Sequence, residues 1–308
     1  MSQNKPRIAT VGYLMNDWLL GVEHFPVTPG DHQTLNELEV EPGGMSNFLI
    51  AGQRFGAQML ALDAIGADRY GMMLLDNLRA EGVDVSQVIK VRGARSRAVA
   101  VVSTAEDRHT FLSYPGDDLP VQPLYVRWRR TLANVDALYV DGFSMLQEHI
   151  MGAAFQASEK VHERGGKTFF DPGPSLVGIS RNLLCNYSGI FLTEDELRKW
   201  AGSADTVAAR SLIAQGPELV VIKQGANGCL VVTAGESYPC PGISVPMRDT
   251  MGAGDVFNAA FVVAMMTGQS LPECGAIANA AGAATVQKFG AGRNVPTLEE
   301  VKALRNSR

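Results

Sequence analysis

The chain is poor in cysteine, and what it has is scattered. Cys185, Cys229, Cys240 and Cys274 form no C-x-x-C pair, and no histidine stands at a metal-ligand spacing from them. That usage excludes a disulfide framework and a zinc module, and it fits thiols kept in a reducing compartment. Positive charge is not in excess either: 27 Lys and Arg against 32 Asp and Glu leave a net charge of −5. A nucleic-acid partner calls for a basic face, so none is expected. The short basic cluster RWRR at 127–130 reads as a solvated helix face. Long apolar runs are missing too. AAFVVAMM at 259–266 falls far short of the about 20 residues that cross a bilayer. The start, MSQNKPRIATVGYL, passes from a polar tail straight into an apolar strand, without the pattern of a signal peptide. The expectation is a cytoplasmic protein with no membrane partner. Two nucleotide signatures are absent as well. There is no G-K-[ST] of a P-loop, and Phe257 stands where a G-x-G-x-x-G fingerprint needs its third glycine.

What is present is enough apolar material for a large core, 46% of 308 residues. Continuous apolar runs at 7–14, 59–66, 137–142, 167–172, 189–193 and 219–225 predict strands covered on both faces. Helical segments are expected at 45–56, 69–81, 147–164, 194–201, 204–215, 253–267 and 271–288. Strand alternating with helix predicts a mostly parallel sheet between helices, with ligands beyond the carboxyl ends of the strands. Residues 15–42 and 95–114 break the pattern: they alternate apolar with polar, and the second has a turn at TAEDR. Both read as antiparallel ribbons with one wet face. The expected architecture is one α/β domain over 1–308 carrying a small β lid.

The stretch RDTMGAGDVF, 248–257, carries the chemistry. Glycines ahead of an apolar helix let its unpaired N–H groups approach an anion. Gly252, Ala253 and Gly254 can form such a cradle. Asp255 lies in the first turn, where it can accept a proton from a hydroxyl held beside the cradle. That pairing suits phosphoryl transfer to an alcohol. From the residues alone, Asp255 serves equally well as a plain cap of a buried helix.

A resemblance adds to this. DTMGAGDVFNAAF, 249–261, resembles the C-terminal signature of the ribokinase, or PfkB-type, carbohydrate kinase family, and EPGGMSNFLIAGQRFGA, 41–57, resembles its N-terminal one. FFDPGPS, GIFLTEDELRKWAG, VVIKQGANGCLVV and AIANAAGAATVQKFGAGRNVP resemble further stretches, in the right order, so that the likeness covers the whole chain. It implies a three-layer ribokinase-like α/β/α fold with a β lid, and ATP-dependent phosphorylation of a small carbohydrate. It implies Asp255 as the base, with Gly252 to Gly254 as the anion hole. Asp17, Gly43, Gly44 and Asn47 would hold the sugar, with Asn16 beside Asp17 as a local turn residue or a helper. Arg97 would read an anionic group on the acceptor, or else be a solvated strand residue. Lys223, Gly225, Gly228, Asn279 and Thr193 would line the ATP site. Glu196 matches the glutamate of an N-x-x-E motif that organises Mg2+, though Thr193 stands where Asn is usual. A potassium ion is implied beside the anion hole, with Asp249 and the backbone of 290–294 as its ligands. A homodimer through the lids would cover the exposed sheet edge. Trp18, His24, His109, Phe111 and Tyr114 of the lid would shape acceptor choice or pack on a partner. Other readings are a nucleoside kinase, a kinase of phosphorylated or acid sugars, a non-catalytic sensor, and, disfavoured by Phe257, a nicotinamide-dependent oxidoreductase.

Overall fold

The computed structural model of the chain describes residues 5–30, 32–104, 109–117, 119, 122–146, 148–173 and 181–306. Two sheets organise it. The larger has eight strands in the order β14 (237–241), β13 (228–233), β12 (219–223), β11 (189–193), β10 (167–171), β9 (137–141), β1 (7–11) and β4 (58–62). From β12 to β4 neighbouring strands are parallel; β13 and β14 run antiparallel at one edge.

The continuous apolar runs are explained by cover on both faces. Leu219 and Val221 of β12 point into one core, Val220 and Ile222 into the other. The first core takes the apolar faces of α1 (45–54), α2 (69–80), α7 (253–266) and α8 (271–285). The second takes those of α4 (148–163) and α6 (206–213), together with Trp128 and Leu132 of α3 (122–132) and Leu197 of α5 (194–201). No helix among the described residues is long and apolar enough to cross a membrane.

The smaller sheet is the lid, in the order β3 (37–44), β2 (14–21), β7 (98–103) and β8 (109–114). Each expected ribbon is antiparallel, β2 with β3 and β7 with β8, and a parallel β2–β7 pairing joins them. Residues 105–108 of the TAEDR turn lie outside the described residues.

Some elements depart from expectation. The run 59–66 breaks at Asp63, between β4 and β5 (64–66). That carboxylate accepts the amide of Leu14 at 2.9 Å and bonds a buried arginine, so it interrupts a strand to serve the lid root. Strands β13 and β14 were not among the expected runs. Pro239 and Pro241 make β14 look like loop, yet as the edge strand it has no outer neighbour that needs their missing N–H groups. Helix α9 (298–306) was also unforeseen, and α3 was expected only as the helix face at 127–130. In α3 the basic cluster is solvated, while Trp128 between the arginines is buried and donates to the carbonyl of Gln87 at 3.2 Å.

Candidate active site

Four neighbouring parallel strands end in polar residues. Asp141 closes β9, Asp171 β10, Thr193 β11 and Lys223 β12, with Asp141 opposite Asp171 and Thr193 opposite Lys223. Strand spacing alone sets this row at the carboxyl edge, where an open α/β sheet binds its ligands. Lys223 Nζ lies 2.5 Å from Asp171 Oδ2, and the amide of Asn258 donates to the same oxygen at 2.6 Å and to the Tyr139 hydroxyl at 2.9 Å. Burial would strip the Lys223 proton, but Asp171, then Glu196 and Asp255, outweigh it and raise the ammonium pKa.

The start of α7 faces this row. Gly252 is its N-cap at φ +70°, and a methyl there would meet the Ala291 methyl at 2.7 Å, so both backbone and space call for glycine. The Ala253 amide bonds back to the Thr250 carbonyl. No acceptor within the described residues takes the amides of Gly252, Gly254 and Asp255. These donors stand at the positive end of a 14-residue helix, where the sequence reading expected an anion cradle; the Ala253 amide of that expectation is spent on Thr250, and the Asp255 amide is open.

Asp255 is held by one residue. Asn47, in the first turn of α1, donates Nδ2–H to Asp255 Oδ2 at 2.9 Å and accepts the Gly292 amide on Oδ1 at 2.8 Å. The Gly292 N–H can only meet an oxygen, so it fixes which end of the amide faces Asp255. Burial pushes the Asp255 carboxyl up to about 6; the Asn47 bond opposes this, Asp171 adds to it and Lys223 opposes it.

Asp17 sits on β2 against the Gly43-Gly44 end of β3. A methyl on Gly43 would fall 2.0–2.1 Å from the Asp17 carboxylate atoms, so only glycine fits. Asp17 is 7% exposed, and no donor among the described residues reaches its carboxylate. Burial and then the charge of Asp255 raise its pKa to about 7. Asp141 gives Oδ1 to the amide and hydroxyl of Ser144 at 2.8 and 2.6 Å. Burial still lifts it to about 7 against those two bonds, with Asp255 and Asp171 adding to the rise.

A cavity of about 430 Å³ lies on the other side of Asp255. Thr193, Lys223, Gly225, Gly228 and Asn279, the residues assigned to ATP in the sequence reading, all line this one cavity. Phe257, Ile243, Val245 and Ala283 supply apolar walls that the sequence reading did not name. Asn279 is pinned by donating to the carbonyls of Cys240 and Pro241 at 2.8 and 3.1 Å.

Other expected residues have different surroundings. Arg97 is not a solvated strand residue: it is 4% exposed, with Nη2 2.6 Å from Asp63 Oδ2, Nε donating to Leu14 O and the guanidinium over the Tyr13 ring. Its reach toward an acceptor is thereby reduced to Nη1. Asn16 is no turn residue; it is buried on β2 and donates to the Tyr70 carbonyl at 3.1 Å. Thr193 and Glu196 form a reciprocal capping box on α5, with Glu196 Oε2 accepting the Thr193 amide at 2.7 Å. That gives a threonine a reason to stand where the motif has asparagine. Asp249 is buried, takes the amides of Met251 and Gly290 at 2.8 and 2.7 Å, and meets His109 Nε2 at 3.1 Å. The sequence reading passed over Asp141, Asp171 and Asn258. Their signal was an aspartate ending an apolar strand, in YVDG and FFDP.

Residues 5–298 match the profile of the pfkB family carbohydrate kinases. The chain belongs to that family. A ribokinase of Haemophilus influenzae is 26% identical over 301 residues, covering 95% of this chain and 96% of that one. The crystal structure of a ribokinase from Thermotoga maritima superposes with a TM-score of 0.81 at 27% identity, over 97% of this kinase and 99% of that chain. An Arabidopsis thaliana ribokinase complexed with ribose and ATP shares the fold at a TM-score of 0.83 and 22% identity, over 98% and 99% of the two chains. The protein is a carbohydrate kinase on the ribokinase fold, an ATP-dependent sugar kinase in general terms.

Proposed function

We propose that this kinase moves the γ-phosphoryl of ATP to a hydroxyl of a neutral, polyhydroxylated acceptor held between Asp17, Asn47 and Asp255. The observation that carries the reading is the Asp17 carboxylate, buried and without a donor among the described residues, near Asp255. Such a group needs hydroxyl donors, and a carboxylate offers acceptor sites for two at once. Asp141 adds a second acidic surface. With Arg97 turned toward Asp63, a phosphorylated or carboxylated acceptor would meet acids rather than a guanidinium. Gly43 and Gly44 let the acceptor lie close to the backbone.

Asp255 takes the proton of the attacking hydroxyl, and the oxygen attacks the γ-phosphorus in line. The unpaired amides of Gly252 and Gly254 stabilise the charge that grows on the phosphoryl. ATP lies in the apolar cavity, with Lys223 toward its phosphates and Asn279 toward its base. Glu196 Oε1, which has no partner among the described residues while Oε2 is spent on the cap, would help hold magnesium, through water, beside the phosphates of ATP. The ion would supply neutralisation of phosphate charge. Lid closure excludes water and limits idle hydrolysis.

Assembly through the lid belongs to the same proposal. Leu38, Phe111 and Leu112 are about 60% exposed, and β8 is an open edge. A second lid packed on them would cover both.

The test is ADP release with ATP and magnesium across neutral sugars, acid sugars, sugar phosphates and nucleosides, beside Asp255→Asn. A neutral sugar that turns over only with Asp255 present is the expected hit. Turnover of a sugar phosphate alone would overturn the assignment of a neutral acceptor.

A further inference from the structure

The potassium ion implied beside the anion hole requires oxygen lone pairs that face one point, as hard cations do in general. Around Asp249 the structure brings hydrogens instead. Oδ1 accepts from the Met251 amide and Oδ2 from the Gly290 amide. The carbonyls of Ala291 and Gly292 accept the amides of Asn294 and Val295, and the Asn294 side chain donates to Glu39. These residues do not fit a cation cage. Among the described residues an imidazole also meets Asp249: His109, at the start of β8, brings Nε2 to 3.1 Å from Oδ1, with 11% of its side chain exposed. A carboxylate only accepts, so Nε2 carries the hydrogen.

We propose that His109 fills the place of the monovalent cation, as a positioning residue carried by the lid, and that phosphoryl transfer by this kinase is therefore independent of potassium. Asp249 is the knot on which this acts. It ties the loop before Gly252, through the Met251 amide, to the loop at Gly290. Two residues on, the Gly292 amide orients Asn47, and Asn47 holds the base. His109 adds the lid to that knot. The lid thus contributes Asp17 to the acceptor from β2 and steadies the anion hole from β8. A polar cavity of about 360 Å³ opens beside the pair, lined also by Glu37, Arg248 and Phe289. It gives a small cation or free imidazole a path to Asp249 once His109 is removed.

The inference rests on the kinase reading, so its test has two readouts. In the first, the wild type turns over its acceptor in potassium chloride and in tetramethylammonium chloride at matched ionic strength. Equal kcat is expected, and a manyfold rise in potassium overturns the proposal. His109→Ala should lose kcat by about 10- to 100-fold with little change in the KM for ATP. Added potassium or imidazole should restore part of it, while His109→Gln, which keeps a donor, should lose less. An alanine variant with full kcat, or a folded one that neither potassium nor imidazole improves, also overturns it. If His109→Ala does not fold, the glutamine variant and the wild-type salt comparison decide. The second readout needs no acceptor: ATP should raise the Tm of the wild type equally in the two salts. A shift that requires potassium sinks the inference even where no substrate has been found. Failure of the acceptor panel, with equal shifts, counts against the acceptor assignment alone.

Discussion

The two halves of the cleft are made of opposite materials. On the proposed acceptor side stand Asp17, which is buried, and the partly buried Asp141 and Asp255, each with a raised pKa. The nucleotide side is apolar and glycine-lined, with Lys223 as its charged group among the lining residues. The lesson concerns where specificity can reside. An apolar slot with a few backbone contacts grips a nucleotide whatever the acceptor is. A pocket of carboxylates with raised pKa values favours a ligand that donates to them, so on the proposed reading it carries both the choice of acceptor and the reaction.

The comparison breaks most sharply at Asp255. Replacement by Asn should lower kcat by about 10²- to 10⁴-fold, the usual worth of a general base. Calorimetric binding of ATP should persist; its loss would show that the two halves are not separable. Gly43→Ala comes next. Its methyl must displace the Asp17 carboxylate, and a shift of that order is worth about 10²-fold in kcat/KM for the acceptor. The KM for ATP should not move. A pH profile sharpens the contrast further. As pH falls through about 6, Asp255 takes up a proton and kcat/KM should drop by about tenfold per unit, while ATP affinity stays nearly level.

Stability should run the other way with pH. All three acids have folded pKa values above their unfolded ones near 4. Their protonated forms favour the folded state, so this stability is fully present below about pH 4 and is lost as pH rises to about 7. The apo protein should melt higher at pH 5 than at pH 8, and Asp141→Asn should narrow that difference. The smallest expected effect lies at the edge of the nucleotide side. Thr193→Ala removes one half of the capping box, which should reduce unfolding free energy by about 1 kcal/mol in denaturant melts. An effect on kcat larger than on stability would move Thr193 from the cap into the phosphate site.

The lid ribbons, the parallel sheet and the glycine ahead of α7 were legible because each depends on residues close together in sequence. Period-two alternation and a glycine ahead of an apolar helix are local signals. Asp141 and Asp171 were missed because their meaning comes from register: each ends its own strand, and only pairing sets them side by side. Arg97 was misjudged for a related reason. Its strand pattern suggests exposure, but its partner Asp63 lies 34 residues away and ends a different strand run. The role of His109 rests on a contact across 140 residues that no pattern records.

Asn47 joins parts of the chain that are made far apart in time. It bonds Asp255 across 208 positions and Gly292 across 245. During synthesis the amino-terminal signature emerges long before the helix that carries the base. A chain that stops short of Gly292 lacks the amide that fixes Asn47 against Asp255, so the surroundings of Asp255 close only once that late stretch has been made.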